Sequence, residues 1–368
     1  MIEIKRYKKE IFEISTKGEF QRFALDAFNY QRANCKVYRE YLEGIGKLNI
    51  KPCSITEIPF LPIKLFKNCK VVSSAISSKG SEDIDISDYK LFTSSATTSM
   101  IPSKHYVKDL NLYEKSFTEG FIHFYGELKN YNLLALLPSY LEREGSSLVY
   151  MADKLIEKIK NSGGEGGFYL YNHNELLDKI ISLTPQSTQT LEKNRDSLPF
   201  AKRKTILLGV SFALLDFGKY IQNIADESLK KEALAATKNI IIIETGGMKG
   251  RGKELSRNEL HTALKNMYQT SAIHSEYGMA ELLSQAYLQN GEKFSTPPWL
   301  KILVRDLYNP FKISTLGNGA INIIDLANID SCCFIETEDM GSIYEDNSFT
   351  IDGRCTNSEL RGCNMLLE

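Results

Sequence analysis

The sequence predicts an α/β fold, because short apolar runs alternate with helical patterns through the middle of the chain. The runs that have the length and composition of buried strands are 133–137, 205–210 and 239–244. The stretches with helical spacing of apolar residues are 109–125, 152–160, 213–236 and 259–268. Strand and helix in repeated alternation predict mixed sheets that are flanked by helices.

The two ends of the chain have other patterns. Residues 20–42 carry apolar and aromatic side chains at helical spacing, so the N-terminal part is predicted to be helical. After Ser295, short strand patterns separated by turns predict a small β-rich lobe. The predicted divisions are a helical N-terminal segment over 1–75, an α/β core over 76–294, a β-rich lobe over 295–352 and a C-terminal tail over 353–368.

Composition excludes several classes of protein. The chain has 368 residues and a net charge of −1, so it lacks the basic excess of a nucleic-acid-binding protein. Its longest apolar runs fall far short of the roughly 20 residues that a membrane span needs. No signal peptide is recognised, and none of the seven cysteines stands in a CxxC pair. We therefore expect a cytoplasmic protein with free thiols.

The first candidate for chemistry is the segment from Thr93 to Lys104, directly after a predicted strand. It contains seven hydroxyl side chains and one lysine. Backbone N–H groups, hydroxyl donors and a cation are what a polyphosphate needs. A solvated Ser/Thr loop is the alternative, and the GxxxxGK[ST] spacing of a P-loop is absent.

Two further segments are candidates for ligand binding. One is a glycine-rich run after a predicted strand, and the other has a glycine next to an aromatic residue. The glycine-rich run from Glu244 to Gly252 would let the backbone approach a flat ligand, although a tight turn has the same composition. The run from His274 to Glu281 places a glycine beside an aromatic ring, with carboxylates on both sides. It could stack a base and hold Mg²⁺, or it could simply begin a helix.

The fourth candidate lies near the C-terminus. Asp339, in the run 336–341, could bond ribose hydroxyls, and Arg354, in the run 352–363, could meet a phosphate or ribose oxygen. Read separately, the two runs are charged β-turns. Each of the four candidates is weak alone, and their order along the chain gives them weight.

In this order the segments SSATTSMIPSK, EYGMAE, TEDMG and DGR resemble the motifs of the adenylate-forming acyl-CoA synthetase superfamily. A closer resemblance is to the acyl-protein synthetase family, typified by the synthetase subunit of the bacterial bioluminescence fatty acid reductase. It rests on strings such as FNYQRANCKVY, FTSSATTSMIPSKHYV, LLPSYLEREGSSLVYMADKLI, IIETGGMKGRGKELSRNEL, HSEYGMAELLSQAY and GRCTNSELRGCN.

The resemblance implies the large domain of an adenylate-forming enzyme, with ATP and Mg²⁺ as cofactors. The ATP-binding residues that it implies are Ser95, Thr97, Thr98 and Lys104 around the β- and γ-phosphates, Gly246, Gly247, Tyr277 and Gly278 at the adenine, Asp339 at the ribose hydroxyls, and Arg354 at the ribose or α-phosphate. It also implies that Glu281 meets Mg²⁺ and that Cys363 carries the acyl group. Lys104, Arg354 and Cys363 would thus be the catalytic residues.

The sequence departs from the superfamily pattern at three positions. Ala96 and Ser99 replace the two loop glycines, and Ala280 stands where a Thr or Ser hydroxyl is usual. The sequence also ends five residues after Cys363, so we expect the mobile C-terminal domain of most superfamily members to be truncated here.

The predicted function is an acid–thiol ligase. It would activate a carboxylic or fatty acid with ATP to acyl-AMP and pyrophosphate, then pass the acyl group to Cys363 or to a cysteine of a partner. The resemblance implies an acyl-protein reductase or carrier as that partner. A phenylacetate-type acyl-CoA ligase and a non-catalytic nucleotide-binding scaffold remain as alternatives.

Overall fold

The computed structural model describes residues 3–73, 85–94, 101–137, 145–184, 203–246 and 255–354. The chain divides into two compact units. Unit 1 comprises Met1–Gly120, Met279–Ala286 and Glu292–Glu368, and unit 2 comprises Phe121–Gly278 and Tyr287–Gly291.

The elements confirm the predicted mixture of helices and strands. The α-helices are α1 Ile4–Glu10, α2 Lys17–Asn34, α3 Lys36–Gly44, α4 Leu65–Asn68, α5 Leu110–Tyr125, α6 Ser147–Asn161, α7 His173–Leu183, α8 Ser211–Gln222, α9 Glu227–Thr237 and α10 Arg257–Tyr268. The strands are β1 Leu61–Pro62, β2 Lys90–Thr93, β3 Lys104–Val107, β4 Tyr131–Leu136, β5 Gly166–Phe168, β6 Lys204–Val210, β7 Ile241–Thr245, β8 His274–Tyr277, β9 Ala286–Leu288, β10 Leu300–Arg305, β11 Ile313–Ser314, β12 Gly317–Asp325, β13 Phe334–Ile343 and β14 Phe349–Arg354.

The sheet of unit 2 has the strand order β5-β4-β6-β7-β8-β9. The pairs from β5 through β8 are parallel. Every residue of β4 is buried, and in β6 only Lys204 is exposed. Such unbroken apolar strands are typical of a parallel sheet. The carboxyl ends of β6, β7 and β8 therefore lie side by side at one edge.

The larger sheet of unit 1 has the order β1-β13-β12-β10-β11, and β14 pairs with β13. Its pairs are antiparallel except β1 with β13. Aromatic side chains from the N-terminal helices pack on it: Tyr38 stacks on Phe334, and the Phe28 ring meets Phe334 edge-on. The capping box formed by Thr16 and Glu19 begins α2. The helical N-terminal part and the β-rich C-terminal part agree with the prediction.

The structure corrects three local predictions. The helical pattern over 20–42 forms two helices, because Cys35 takes an extended conformation between them. The run 274–281, for which a helix start was one of two interpretations, begins instead with strand β8. The run 336–341 lies in strand β13, and residues 352–354, the described part of the run 352–363, lie in strand β14 rather than in a turn. The predicted division of domains stays a prediction.

No described helix combines the length and the apolar character that crossing a bilayer requires.

Candidate functional site

The base of the predicted phosphate loop is held by a hairpin in unit 1. Thr93 and Lys104 are register partners in the antiparallel pair of β2 and β3. Next to them, the Ser94 amide donates to the Ser103 carbonyl at 3.1 Å, and the Ser103 amide donates to the Ser94 hydroxyl at 2.9 Å. Lys104 is exposed. Three predicted phosphate contacts, Ser95, Thr97 and Thr98, lie outside the described residues.

The carboxyl group of Glu281, predicted to meet Mg²⁺, is buried in unit 1, with only 4% of the residue exposed. Burial raises its pKa, while a hydrogen bond from the Ser103 hydroxyl and the nearby charge of Arg354 act in the opposite direction. The charge of Asp339 raises it further. Glu281 thus shares its surroundings with two other predicted site residues, Asp339 and Arg354.

Strands β13 and β14 bring Asp339 and Arg354 together as register partners. The Arg354 Nε lies 3.5 Å from the Asp339 Oδ1. The Arg354 side chain is 80% exposed, so this ion pair stabilises the fold little and leaves the guanidinium accessible. Gly341 allows the strands to approach here, because a Cβ on it would lie 2.1 Å from the Thr350 carbonyl oxygen.

A buried histidine and asparagine hold the backbone beside Glu281. The His105 Nδ1 lies 2.8 Å from the Ala280 carbonyl oxygen, and its Nε2 lies 3.0 Å from the Asn328 Oδ1. The Asn328 amide donates to the Glu281 carbonyl at 2.7 Å. Burial lowers the pKa of His105 to about 4, so the ring is neutral near pH 7 and donates from one nitrogen. His105 directly follows Lys104 in β3. The clamp made of His105 and Asn328 therefore connects Lys104 to Glu281, and both are predicted site residues.

Asp325 holds the residues that follow Glu281. It is fully buried, and its carboxylate accepts from the Leu283 amide at 2.8 Å and the Ser284 amide at 3.0 Å. It also accepts from the Ser284 hydroxyl at 2.6 Å. The backbone from 280 to 284 is therefore fixed by side chains on both sides of Glu281. None of these contacts has a local signal in the sequence.

The predicted adenine contacts of unit 2 lie at the carboxyl edge of the parallel sheet. Thr245 and Glu276 are register partners, so Gly246 and Tyr277 directly follow paired positions of β7 and β8. Gly246 has φ +67°, a conformation that favours glycine. Gly278, after β8, is exposed, and Gly247 lies outside the described residues. Ligands of parallel α/β sheets bind at this kind of edge.

A layer of buried polar side chains lies beneath this edge. The Glu276 carboxylate accepts a hydrogen bond from the Thr245 hydroxyl. Burial raises the pKa of Glu276 to about 7, and the nearby charge of Glu244 adds to the shift. The Ser211 hydroxyl lies 2.5 Å from the Gly246 carbonyl oxygen and 3.3 Å from the Glu244 Oε2.

Two basic side chains of α10 lie close to the carboxylate of Glu244. The His261 Nε2 lies 3.7 Å from the Glu244 Oε1 and 2.9 Å from the Ser275 hydroxyl. The Arg257 Nε lies 3.9 Å from the same carboxylate oxygen. Glu276 is one of the two carboxylates of the run 274–281 that could hold Mg²⁺, and Glu244 begins the glycine-rich run, but no buried polar layer was predicted from either residue. The available signal was their place at strand ends, next to Gly246 and Tyr277.

The described cysteines differ in accessibility. Cys35, Cys332 and Cys333 are buried, and burial raises the pKa of each thiol, to about 11 for Cys35. Cys53 is exposed. Cys363, predicted to carry the acyl group, lies outside the described residues.

A Mg²⁺ ion in unit 1 would need oxygen ligands from the side chains near Glu281. Among the described residues there is no cluster of three or more His, Cys, Asp or Glu side chains that could hold a metal ion. Mg²⁺ bound to a nucleotide usually takes only one or two carboxylates, because phosphate oxygens and water complete its shell. Glu281, with Asp339 nearby, fits that requirement.

No protein-family model matches the chain, and no curated protein matches it either. Among solved structures, the chain is similar to ATP-bound MatB from Rhodopseudomonas palustris, with 16% identity over 72% of this chain and 47% of that chain and a TM-score of 0.47. It is also similar to O-succinylbenzoate coenzyme A synthetase (MenE) from Bacillus subtilis in complex with AMP, with 12% identity over 73% and 50% of the two chains and a TM-score of 0.44.

A third similar structure is the N-terminal subdomain of Klebsiella oxytoca NpsA in complex with 3-hydroxybenzoyl-AMSN. The identity is 10%, over 77% of this chain and 68% of that chain, and the TM-score is 0.45. The chain spans about half the length of MatB and MenE. Because each of these TM-scores is below 0.5, the similarities establish neither family nor activity.

Proposed function

We propose that the chain is an AMP-forming acid–thiol ligase of the adenylate-forming type. It activates a carboxylic acid, with a fatty acid as the favoured class, by forming acyl-AMP and pyrophosphate from ATP. The acyl group then passes to a cysteine thiol, either Cys363 or a thiol of an acyl-carrying partner, and we place this reaction in the cytoplasm.

The observation that carries the proposal is the cluster of Glu281, Asp339 and Arg354 in unit 1. The three residues come from distant segments of the chain, and each belongs to one of the motifs on which the family resemblance rests. Arg354 and Asp339 lie within 3.5 Å of each other, and both act on the pKa of Glu281. A buried carboxylate beside an accessible guanidinium suits a nucleotide with its metal ion.

In this proposal Glu281 holds Mg²⁺, with its backbone fixed by the clamp of His105 and Asn328. Mg²⁺ supplies charge that offsets the developing negative charge on the leaving pyrophosphate. Lys104, at the base of the phosphate loop, and Arg354, through its exposed guanidinium, add fixed positive charge to this stabilisation. Asp339 accepts hydrogen bonds from the ribose hydroxyls.

Adenine recognition is proposed for Gly246, Gly247, Tyr277 and Gly278 of unit 2. The positive φ of Gly246 and the register of β7 with β8 support this role, because they present a side-chain-free backbone next to an aromatic ring. Ser211 would support Gly246 through the hydrogen bond to its carbonyl.

The second half-reaction needs a thiolate. Cys35, Cys332 and Cys333 are unsuited to it, because burial keeps their thiols protonated. Cys363 is proposed instead, with Arg361 two residues before it favouring the thiolate. The thiolate sulfur attacks the acyl carbon of acyl-AMP, a thioester bond forms, and AMP leaves with the electron pair of the broken bond.

The test is acylation of the protein itself. Full-length protein is incubated with ATP, Mg²⁺ and a panel of radiolabelled acids, then denatured and treated with hydroxylamine, which cleaves thioesters. We expect hydroxylamine-sensitive label that is lost in Cys363→Ala and kept in Cys53→Ala, the control at an exposed cysteine.

Two other results would replace the proposal. Acyl-CoA formed from added CoA, without label on the protein, would identify an acyl-CoA ligase. ATP binding without any acid-dependent product would identify a nucleotide-binding scaffold, for which Ala280 in place of a hydroxyl residue gives a physical reason.

A further inference from the structure

A cavity of about 480 Å³ lies in unit 1 and contains none of the predicted site residues. One wall comes from the segment between Tyr41 and Pro62, and the other comes from Pro310, Phe311 and Ile313 after β10 and from Glu336 of β13. Its volume is within the range of small-molecule sites. A separate ligand can therefore be considered for it.

The walls are mainly apolar. Ile50, Ile58, Phe60 and Ile313 line the cavity. Ile58 and Phe60 are almost fully buried, whereas the Phe311 ring is 46% exposed. An apolar body packed against the accessible parts of Ile50, Ile313 and Phe311 would be favourable, because it removes their apolar surface from water.

Two ammonium groups belong to the same lining. The Lys47 Nζ lies 4.5 Å from the centre of the Phe311 ring, so a cation–π contact holds it at the cavity. Lys51 is exposed. Within the described parts of the chain, neither lysine forms a salt bridge.

The two carboxylates of the lining already have donors. Glu57 accepts from the Cys53 amide at 2.9 Å and from the Ser54 hydroxyl at 3.1 Å. Glu336 lies 3.6 Å from the Arg305 guanidinium. Arg305 offsets the charge of Glu336, whereas Glu57 keeps its negative charge, so the two lysines leave the lining with one positive charge in excess.

We propose that this cavity binds a small amphipathic anion, with an apolar or aromatic body against Ile50 and Ile313 and an acidic group at Lys47 and Lys51. The site is independent of the acid–thiol ligase chemistry and is not built from its residues. A neutral ligand of the same shape lacks the charge-assisted contacts and binds more weakly.

The test uses naphthalene-2-sulfonate, an aromatic anion without a carboxylate that ATP could activate. Its neutral match is naphthalene-2-sulfonamide. Binding to the full chain is measured by calorimetry for the wild type, for Lys47→Met with Lys51→Met, and for Lys70→Met, a control at an exposed lysine outside the cavity. Methionine keeps an apolar stem while it removes the charge.

We expect the sulfonate to bind the wild type at least about tenfold more tightly than the sulfonamide does, because charge-assisted contacts of this kind are worth a factor of ten or more. The double lysine variant should lose that advantage, and Lys70→Met should keep it. Equal sulfonate affinity in the wild type and the double variant, or no saturable binding to the wild type, would overturn the proposal.

A second variant covers the case in which the double variant does not fold. Ile313→Trp narrows the cavity without changing its charge, so we expect it to weaken both ligands by about tenfold or more. In the wild type, the sulfonate should also protect Lys51 from acetylation, as measured by mass spectrometry. Unchanged affinities in Ile313→Trp together with an unprotected Lys51 would contradict the site.

Discussion

Glu276 is a carboxyl group whose surroundings oppose its ionisation. It is 8% exposed, it accepts a hydrogen bond from Thr245, and its pKa is raised to about 7, first by burial and then by the charge of Glu244. Tyr125 also interacts electrostatically with Glu276, while His261 and Arg257 lie beside the neighbouring Glu244. The protonation of Glu276 is thus linked to the folding free energy of the buried polar layer that lies beneath Gly246 and Tyr277.

This linkage predicts a pH-dependent stability. The pKa of an unfolded glutamate is about 4.3, so between about pH 4.3 and pH 7 the folded protein holds a proton that the unfolded chain has lost. Stability should therefore fall as pH rises through this window, by roughly 4 kcal/mol from this group. In Glu276→Gln this contribution should be absent.

Urea unfolding of both proteins at pH 5 and pH 8 measures the difference. We expect the variant to lose less stability than the wild type between the two pH values. Thr245→Val, which removes the hydroxyl donor but leaves the carboxyl group, should keep the wild-type direction. An identical pH dependence in the wild type and Glu276→Gln would show that this carboxyl group does not titrate as described.

Thiol burial predicts which cysteines react in the folded protein. Cys332 and Cys333 are fully buried with raised pKa values, whereas Cys53 is exposed. During native-state alkylation at pH 8, followed by mass spectrometry, Cys53 should be labelled at least about a hundredfold faster than Cys332, because thiolate fraction and access both control the rate. Labelling of Cys332 at the rate of Cys53 would contradict the burial.

At the scale of elements, the antiparallel pair of β13 and β14 positions Asp339 against Arg354. The pair is irregular between Met340 and Gly341, where the register shifts. A side chain on Gly341 would collide with the backbone of β14 at Thr350. Glycine is therefore required at position 341, where a side chain would overlap the backbone of the neighbouring strand.

Gly341→Ala is expected to destabilise unit 1 by about 2–3 kcal/mol, because the methyl group forces the strands apart. Gly120→Ala is the matched control. Its Cβ would lie 3.9 Å from the Trp299 ring, an ordinary contact, and alanine is favoured inside helix α5 by about 0.5–1 kcal/mol.

The midpoints of urea unfolding are measured for the wild type and both variants. A lower midpoint is expected only for Gly341→Ala. We also expect Gly341→Ala to weaken ATP-dependent activity, since it displaces Asp339 and Arg354. A Gly341→Ala protein as stable as the wild type would show that the strands relax without cost.

The elements also show what the sequence could predict. The buried strands β4, β6 and β7 were found because each is an almost unbroken apolar run. Strand β13 was missed, since Glu336, Glu338 and Asp339 are only partly buried and make the run read as a turn. The amphipathic spacing over 20–42 was read correctly as helical, but the break at Cys35 has no sequence signal.

Contacts between distant residues explain the remaining gaps in the site prediction. His105 meets Asn328 across 223 positions of sequence, and no local pattern links them. Glu281, Asp339 and Arg354 were selected by motif resemblance, and the fold of unit 1 then brought them together.

At the scale of the whole molecule, the central claim is that the chain forms an acyl-adenylate. Described candidates occur in both units: Lys104, Glu281, Asp339 and Arg354 belong to unit 1, and Gly246, Tyr277 and Gly278 belong to unit 2. Of these, Glu281 is the sharpest probe, because its carboxylate is buried and its backbone is anchored through Asn328. Glu338 provides a control, since it is more exposed, pairs with Lys64 and has no proposed role.

The most direct test is acid-dependent exchange of radiolabelled pyrophosphate into ATP, measured with a broad panel of carboxylic acids. We expect the wild type to show exchange that requires an acid, Glu281→Gln to lose about a hundredfold or more, and Glu338→Gln to retain it. If the wild type binds ATP yet exchanges no pyrophosphate with any acid, or if Glu281→Gln exchanges as fast as the wild type, the account is contradicted.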